Sequence, residues 1–107
     1  MLYGLTDIQL KQLQEVFAGH SQLESVILYG SRAKGNYRDG SDVDITLVGE
    51  QLTKKELNTI ENEIDDLLLP NLFDISIKHQ ISNNDLLVHI NRVGKLIYTK
   101  TPKQNNL

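Results

Sequence analysis

Cysteine is absent from this 107-residue sequence, which excludes disulfide frameworks, thiolate metal sites and cysteine nucleophiles. Long apolar runs are absent as well. Short runs such as residues 26–28 and 67–69 fall far below the length that a membrane-spanning helix needs. The first seven residues have neither the basic segment nor the long apolar segment of a secretory signal. We therefore expect a cytoplasmic protein that does not span a membrane.

A strong charge of either sign is also lacking. The 11 Lys and Arg residues against 14 Asp and Glu residues give a formal net charge of −3. A mildly acidic chain is poorly suited to gripping a long nucleic acid by its phosphates, so nucleic acid is not expected as a direct partner. The length allows one domain with one core. We expect this domain to span residues 1–100, followed by a disordered polar tail at 101–107.

Helix-start patterns occur at three places along the chain. Thr6, with Gln9 three residues later, forms a capping box. The same pattern recurs at Thr53 and Glu56, and Ser82 can cap a third helix. The expected helix ends are the three breaker positions Gly19, Pro70 and Gly94.

Strands are expected where apolar and polar residues alternate or where a short β-rich run occurs. These segments are residues 25–29, 42–48, 73–78 and, at the end, 96–98. A helix separates the second strand from the third, so these two strands should be parallel neighbours. The order of elements predicts a single layered α/β domain.

Three carboxylates are the strongest candidates for chemistry. Asp42 and Asp44 are two residues apart on a predicted strand, so both side chains should leave one face, with Cα atoms about 6.6 Å apart. Asp74 occupies a polar-face position on the neighbouring strand. Such charges would raise at least one pKa, and oxygen ligands favour compensation by Mg²⁺ or Mn²⁺. A solvated strand face is the simpler alternative, but aspartate is depleted in strands.

The segment before these carboxylates is suited to binding a phosphate. Gly30 ends a predicted buried strand and allows close approach of the backbone. Ser31 offers a hydroxyl and an amide at the start of a helical turn. Arg32 and Lys34 add positive charge, although a solvated position is an equal alternative for Lys34. A phosphate held here beside two metal ions is the layout required for phosphoryl or nucleotidyl transfer.

Two better-known motifs are excluded. The glycines of this segment have the spacing of a P-loop, but Asn36 and Tyr37 stand where Lys and Ser or Thr are required. An EF-hand loop starting at the first aspartate fails because Thr46 and Leu47 stand at its fifth and sixth positions.

The remaining candidates have structural interpretations. Tyr29 is expected to pack in the core or at a strand edge. The histidines match no metal-ligand spacing, and His89 is interpreted as a helix-surface residue. The leucine run at 67–69 belongs either to the core or to a partner interface.

Gly30-Ser31, ten residues, then Asp42-Val43-Asp44 resembles the signature of the polymerase-β-like nucleotidyltransferase superfamily. Asp74 resembles its third, separately placed carboxylate. The order of elements and the length resemble the minimal nucleotidyltransferase (MNT) family over essentially the whole chain. The resemblance implies an α+β fold in which helices cover a small mixed sheet.

The resemblance also implies roles for these residues. Asp42 and Asp44 would hold two Mg²⁺ ions that bridge the triphosphate of ATP. Asp74 would help to bind one metal ion and would activate the acceptor hydroxyl. Gly30 and Ser31 would anchor the triphosphate.

MNT proteins resembling this one are antitoxins of a helical HEPN-domain toxin encoded beside them. The resemblance implies transfer of AMP from ATP to a tyrosine of this toxin, which silences its ribonuclease activity, and a hetero-oligomer of the two chains. We therefore expect a Mg²⁺-dependent nucleotidyltransferase, a protein adenylyltransferase. The alternatives are a non-catalytic antitoxin that acts by binding alone, and a transferase that acts on a small molecule or an RNA end.

Overall fold

One mixed sheet organises the chain in this computed structural model, which describes residues 1–100. Its strands are β1 (Ser25–Tyr29), β2 (Val43–Val48), β3 (Phe73–Ile77) and β4 (Lys95–Thr99). The α-helices are α1 (Asp7–Ala18), α2 (Gly30–Lys34), α3 (Lys54–Asp66) and α4 (Asn84–Val93), and a 3₁₀ turn covers Lys78–Gln80. The tail predicted at 101–107 lies outside the described residues, and the domain boundary at residue 100 stays a prediction.

The strand order is β3-β2-β1-β4. β1 is antiparallel to both β2 and β4, whereas β2 and β3 are parallel. The predicted α/β class, the small mixed sheet and the parallel pair are therefore confirmed. Within residues 1–100, no helix combines the length and the apolar character needed to cross a bilayer.

The two faces of the sheet carry different side chains. One face packs against α1 and α3 and forms the main apolar core, in which burial of aliphatic surface stabilises the fold. Its strand residues are Val26, Leu28, Val43, Ile45, Leu47 and Ile77, packed with Leu13, Phe17, Ile60 and Ile64 of the helices. The opposite face contains more polar residues and packs against α4, whose Ile90 is buried. This second face positions the candidate site.

The helix starts match the predictions only in part. At α1 the capping box is confirmed, because the Gln9 amide donates to Thr6 Oγ1 at 3.1 Å and the Thr6 amide donates to Gln9 Oε1 at 3.0 Å. At α3 the predicted capping box is wrong. Thr53 stands at the N-cap but its side chain makes no capping hydrogen bond.

At α4 the predicted cap is wrong by one residue. Asn83, not Ser82, stands at the N-cap, and its Oδ1 accepts a hydrogen bond from the Leu86 amide at 3.1 Å. Asn is at least as good a cap as Ser, so the two neighbouring candidates cannot be separated by residue type alone.

The connection from α3 to β3 departs from its predicted course. The helix ends at Asp66, before the predicted stop at Pro70. Leu67 and Leu69 pack half-buried against the core. Leu68 is 87% exposed and has a φ of +56°, in the left-handed region, where a non-glycine residue costs about 1–2 kcal/mol. The leucine run is therefore only partly a core segment.

We expect Leu68→Gly to stabilise the fold by about 0.5–1 kcal/mol. Relief of the left-handed strain exceeds the about 0.4–1 kcal/mol that glycine costs through a more flexible unfolded chain. Urea denaturation measures the free energy of unfolding. Leu67→Gly is the matched control and should destabilise, because Leu67 has a φ of −71° and packs against the core. A Leu68→Gly protein less stable than wild type would contradict the prediction.

Candidate active site

Three polar residues form a row across adjacent strands at one end of the sheet. Tyr29 of β1 pairs with Asp44 of β2, and Asp44 pairs with Asp74 of β3. Residues paired across a ladder point to the same face. We call Tyr29, Asp44 and Asp74 the polar row. Two of the three predicted carboxylates are thus brought side by side.

Asp42 lies one residue before β2 rather than within it, so the strand predicted at 42–48 begins at Val43. Partial burial raises the pKa of the Asp44 carboxyl, and the negative charges of Asp74 and Asp42 raise this pKa further. The expectation that like charges at this edge raise at least one pKa is met at Asp44.

The chemistry of these donors fits a divalent cation. Among residues 1–100 no Lys or Arg lies within ion-pairing distance of Asp42, Asp44 or Asp74, so no Lys or Arg of this part of the chain neutralises them. Oxygen donors of this kind suit Mg²⁺ or Mn²⁺. In the same part of the chain, however, no three acidic or histidine side chains already converge as a metal-binding group. The assignment of these three carboxylates as metal ligands stays a prediction.

Gly30 lies in direct contact with the polar row. Its φ is +75°, a conformation that glycine adopts readily and other residues rarely adopt. A Cβ at this position would also overlap Oδ2 of Asp44. The turn into α2 can therefore place its backbone against the carboxylate only if residue 30 is glycine. Of the three predicted nucleotide-binding residues, Gly30 contacts Asp44, and Ser31 and Arg32 follow it as the next residues of α2. We call Asp42, Asp44 and Asp74 the acidic edge.

His89 is a site residue that the sequence interpretation missed. The Gly30 amide donates to His89 Nε2 at 3.1 Å, and the imidazole lies edge-on to the Tyr29 ring, with centroids 6.1 Å apart. The interpretation of His89 as a helix-surface residue is therefore wrong. A usable signal existed, because His89 is three residues after Leu86 and so shares the inward side of α4.

Hydroxyl groups support the polar row from the neighbouring position along the strands. Tyr29 is buried, as predicted, and its side chain hydrogen-bonds to Ser76. The Ser76 hydroxyl in turn donates to Thr46 Oγ1 at 2.9 Å. Burial raises the pKa of the Tyr29 phenol, the Ser76 hydrogen bond opposes this, and the charges of Asp74 and Asp44 add to it.

Arg32 does not face the site as predicted. Its Nε and Nη2 donate to the Ser41 carbonyl at 3.1 and 2.8 Å, and its Nη1 donates to the Tyr3 carbonyl at 2.9 Å. The guanidinium also lies 5.0 Å from the centroid of the Tyr37 ring. Because Arg32 is only 3% exposed, the structure does not support the predicted contact with a nucleotide phosphate. Arg32 instead connects the loop before β2 to the turn at residues 2–5, which we call the N-terminal turn.

Comparison with known families agrees with this geometry. Residues 11–103 match the family model described as Polymerase beta, Nucleotidyltransferase. The protein belongs to the polymerase beta nucleotidyltransferase family. No curated protein matches its sequence significantly.

Solved structures show the same nucleotidyltransferase fold at low sequence identity. A toxin–antitoxin structure with AMP-PNP has a TM-score of 0.67 at 18% identity, covering 92% of this chain and 76% of the other. A tri-AMPylated Shewanella oneidensis HEPN toxin in complex with MNT antitoxin has a TM-score of 0.67 at 13% identity, covering 90% and 74%. A Sulfolobus solfataricus protein described as a nucleotidyltransferase has a TM-score of 0.53 at 22% identity, covering 92% and 90%. The predicted resemblance to MNT antitoxins is confirmed at the level of the fold.

For this nucleotidyltransferase we expect Gly30→Ala to destabilise the fold more than Gly35→Ala. Both glycines have a positive φ, but a Cβ at Gly35 has no heavy atom within 4 Å. The Gly35 variant should therefore cost about 1 kcal/mol for its backbone conformation alone. The Gly30 variant should cost about 1–3 kcal/mol more, because its Cβ overlaps Asp44. Urea denaturation of both variants measures the difference, and equal losses would contradict the close contact between Gly30 and Asp44.

We expect Arg32→Lys to lower the free energy of unfolding by about 2–3 kcal/mol. Lysine keeps the charge but cannot reproduce the forked hydrogen bonds to two carbonyls. Arg38→Lys is the matched control. Arg38 lies in the loop before β2 and is exposed, so this variant should change stability by less than about 0.5 kcal/mol. Chemical denaturation reports both values. An Arg32→Lys protein of wild-type stability but weakened ATP binding would restore the phosphate-contact role.

Proposed function

We propose that this protein is a Mg²⁺-dependent nucleotidyltransferase that transfers AMP from ATP to a hydroxyl, a tyrosine, of a partner HEPN toxin, and so acts as its antitoxin. The observation that carries the proposal is the contact of the Gly30 turn with Asp44, flanked by Asp74 and Asp42. A backbone turn suited to a phosphate meets at this point an acidic edge that no Lys or Arg among residues 1–100 neutralises. Because ATP is the proposed donor, we expect the protein to act in the cytoplasm.

The proposed role of each site residue follows from its position. The turn at Gly30 and Ser31 would seat the triphosphate, because a residue without a side chain lets a ligand approach the backbone. Asp42 and Asp44 would hold Mg²⁺, with Asp74 as a further ligand of one ion. Bound Mg²⁺ would neutralise charge on the triphosphate and orient it for attack.

The exposure of Asp74 suits it to the acceptor side. β3 is an edge strand and Asp74 is exposed, whereas Asp44 is half-buried between its neighbours. A macromolecular hydroxyl can therefore reach Asp74, which would accept the hydroxyl proton as a general base. The acceptor oxygen would form a bond to the α-phosphorus of ATP while the bond from that phosphorus to pyrophosphate breaks.

We propose a protein acceptor on the basis of complexes that share this fold. The solved structures that share this fold include an AMPylated HEPN toxin bound to an MNT antitoxin and a toxin–antitoxin structure with AMP-PNP. These are properties of those proteins, and they support a partner toxin as the acceptor for this chain.

We expect Asp44→Asn to reduce AMP transfer at least about a hundredfold, because it removes the charge at the centre of the acidic edge. The assay uses α-labelled ATP, Mg²⁺ and the HEPN protein encoded beside this chain. The matched control is Asp65→Asn, at an exposed position of α3 on the opposite side of the sheet, which should retain wild-type transfer. Mass spectrometry of the labelled partner identifies the acceptor residue, and chelation of divalent metal should abolish labelling.

The same assay separates the alternatives. Tight association without label, together with neutralisation that survives loss of all three carboxylates, would establish a non-catalytic antitoxin. Label on an RNA end or a small molecule rather than on the partner would establish a different acceptor. Full transfer by Asp44→Asn would contradict the proposed chemistry at this edge.

A further inference from the structure

We infer that His89 is a positioning residue that holds the Gly30 turn in its nucleotide-binding conformation, through its Nε2 atom, which accepts the Gly30 amide hydrogen. This role rests on the proposed function and links His89 to the affinity for ATP.

The hydrogen bond to His89 satisfies an amide that α2 itself leaves without a partner. The first amide groups of a helix have no acceptor within the helix, and Gly30 is the first residue of α2. Its part-buried amide finds an acceptor in His89 Nε2 at 3.1 Å. Because glycine restricts its own dihedral angles so little, this external acceptor helps to define the direction of the peptide that leads into Ser31.

The imidazole is itself held in place. Its ring lies edge-on to Tyr29, at an interplanar angle of 81°. α4 is seated on the sheet through buried Ile90, and at Gly94 its end approaches Ile27 so closely that a Cβ would lie 2.6 Å from Cγ2. Because α4 is packed against the sheet at both of these points, His89 Nε2 can hold the Gly30 turn in one position.

The position of the Gly30 turn determines which groups are available to bind the triphosphate. Because the Gly30 amide is bonded to His89, the amide and the hydroxyl of Ser31, the next residue of α2, would be the groups left to bind the triphosphate. His89 then acts on the binding of the triphosphate and not on the reacting atoms. Its loss should therefore change the affinity for ATP more than the rate of the chemical step.

The test compares His89→Leu and His89→Gln with His79→Leu. Leucine removes the acceptor, whereas glutamine can offer Oε1 in its place. His79 is the matched control, because its Nε2 lies 3.3 Å from the Leu52 carbonyl, outside the polar row. Calorimetry measures the Kd for a non-hydrolysable ATP analogue, and steady-state assays measure KM and kcat.

We expect His89→Leu to raise Kd and KM for the nucleotide about tenfold, with kcat within about twofold of wild type. His89→Gln should recover most of the affinity, and His79→Leu should match wild type. Unchanged or tighter nucleotide binding by His89→Leu would overturn the inference, because an imidazole that merely competes for the amide would release it for the phosphate. A loss confined to kcat would overturn it as well.

A measurement without nucleotide tests the hydrogen bond itself and does not depend on folding of the leucine variant. Nitrogen-15 NMR of the wild-type imidazole should show the tautomer with its proton on Nδ1, since Nε2 accepts. A proton on Nε2 would overturn the inference.

Wild-type protein that binds no ATP would contradict the proposed function and the nucleotide role of His89 together. Wild-type binding that is insensitive to His89→Leu would contradict the His89 inference alone.

Discussion

The close approach of the Gly30 backbone to the Asp44 carboxylate is the constraint on which the rest of the site depends. Two segments that suit ligands of opposite charge meet there: a turn suited to an anion and an acidic edge suited to cations. The contact requires a residue without Cβ and with a positive φ. It also requires β1 and β2 to pair in the observed register, with Tyr29 opposite Asp44. A shift of one residue would turn the carboxylate to the apolar face.

The unequal faces of the sheet explain how a chain of this size can hold several carboxylates together. The face that packs against α1 and α3 contains the main aliphatic core and so contributes most of the hydrophobic stabilisation. The other face can then include polar residues, because its interior hydroxyls satisfy one another, as Ser76 and Thr46 do. Partial burial and the negative charges of Asp74 and Asp42 raise the pKa of Asp44, and this unfavourable environment is confined to one end of the second face.

Local patterns in the sequence predicted the strands, the parallel pair and the location of the acidic edge, because strand periodicity and the spacing from Gly30 to Asp44 are short-range properties. They did not predict the partners of Arg32 and His89. Arg32 contacts Tyr3, 29 residues away, and Gly30 contacts His89, 59 residues away. Residue type alone favoured a phosphate for the arginine and solvent for the histidine. Only the packing of α4 and of the N-terminal turn decides which groups these side chains meet.

These two long-range contacts matter because α2 cannot maintain its own geometry. A helix of five residues is far shorter than the roughly 12–15 residues that isolated helices need for marginal stability. Its position is therefore set by hydrogen bonds to other segments: Arg32 donates to the Tyr3 carbonyl of the N-terminal turn, and the Gly30 amide donates to His89 of α4. The orientation of the turn that faces the acidic edge is thus a property of three distant segments of the chain. A change that displaces the N-terminal turn or α4 should act on this turn even where it touches neither the carboxylates nor the nucleotide.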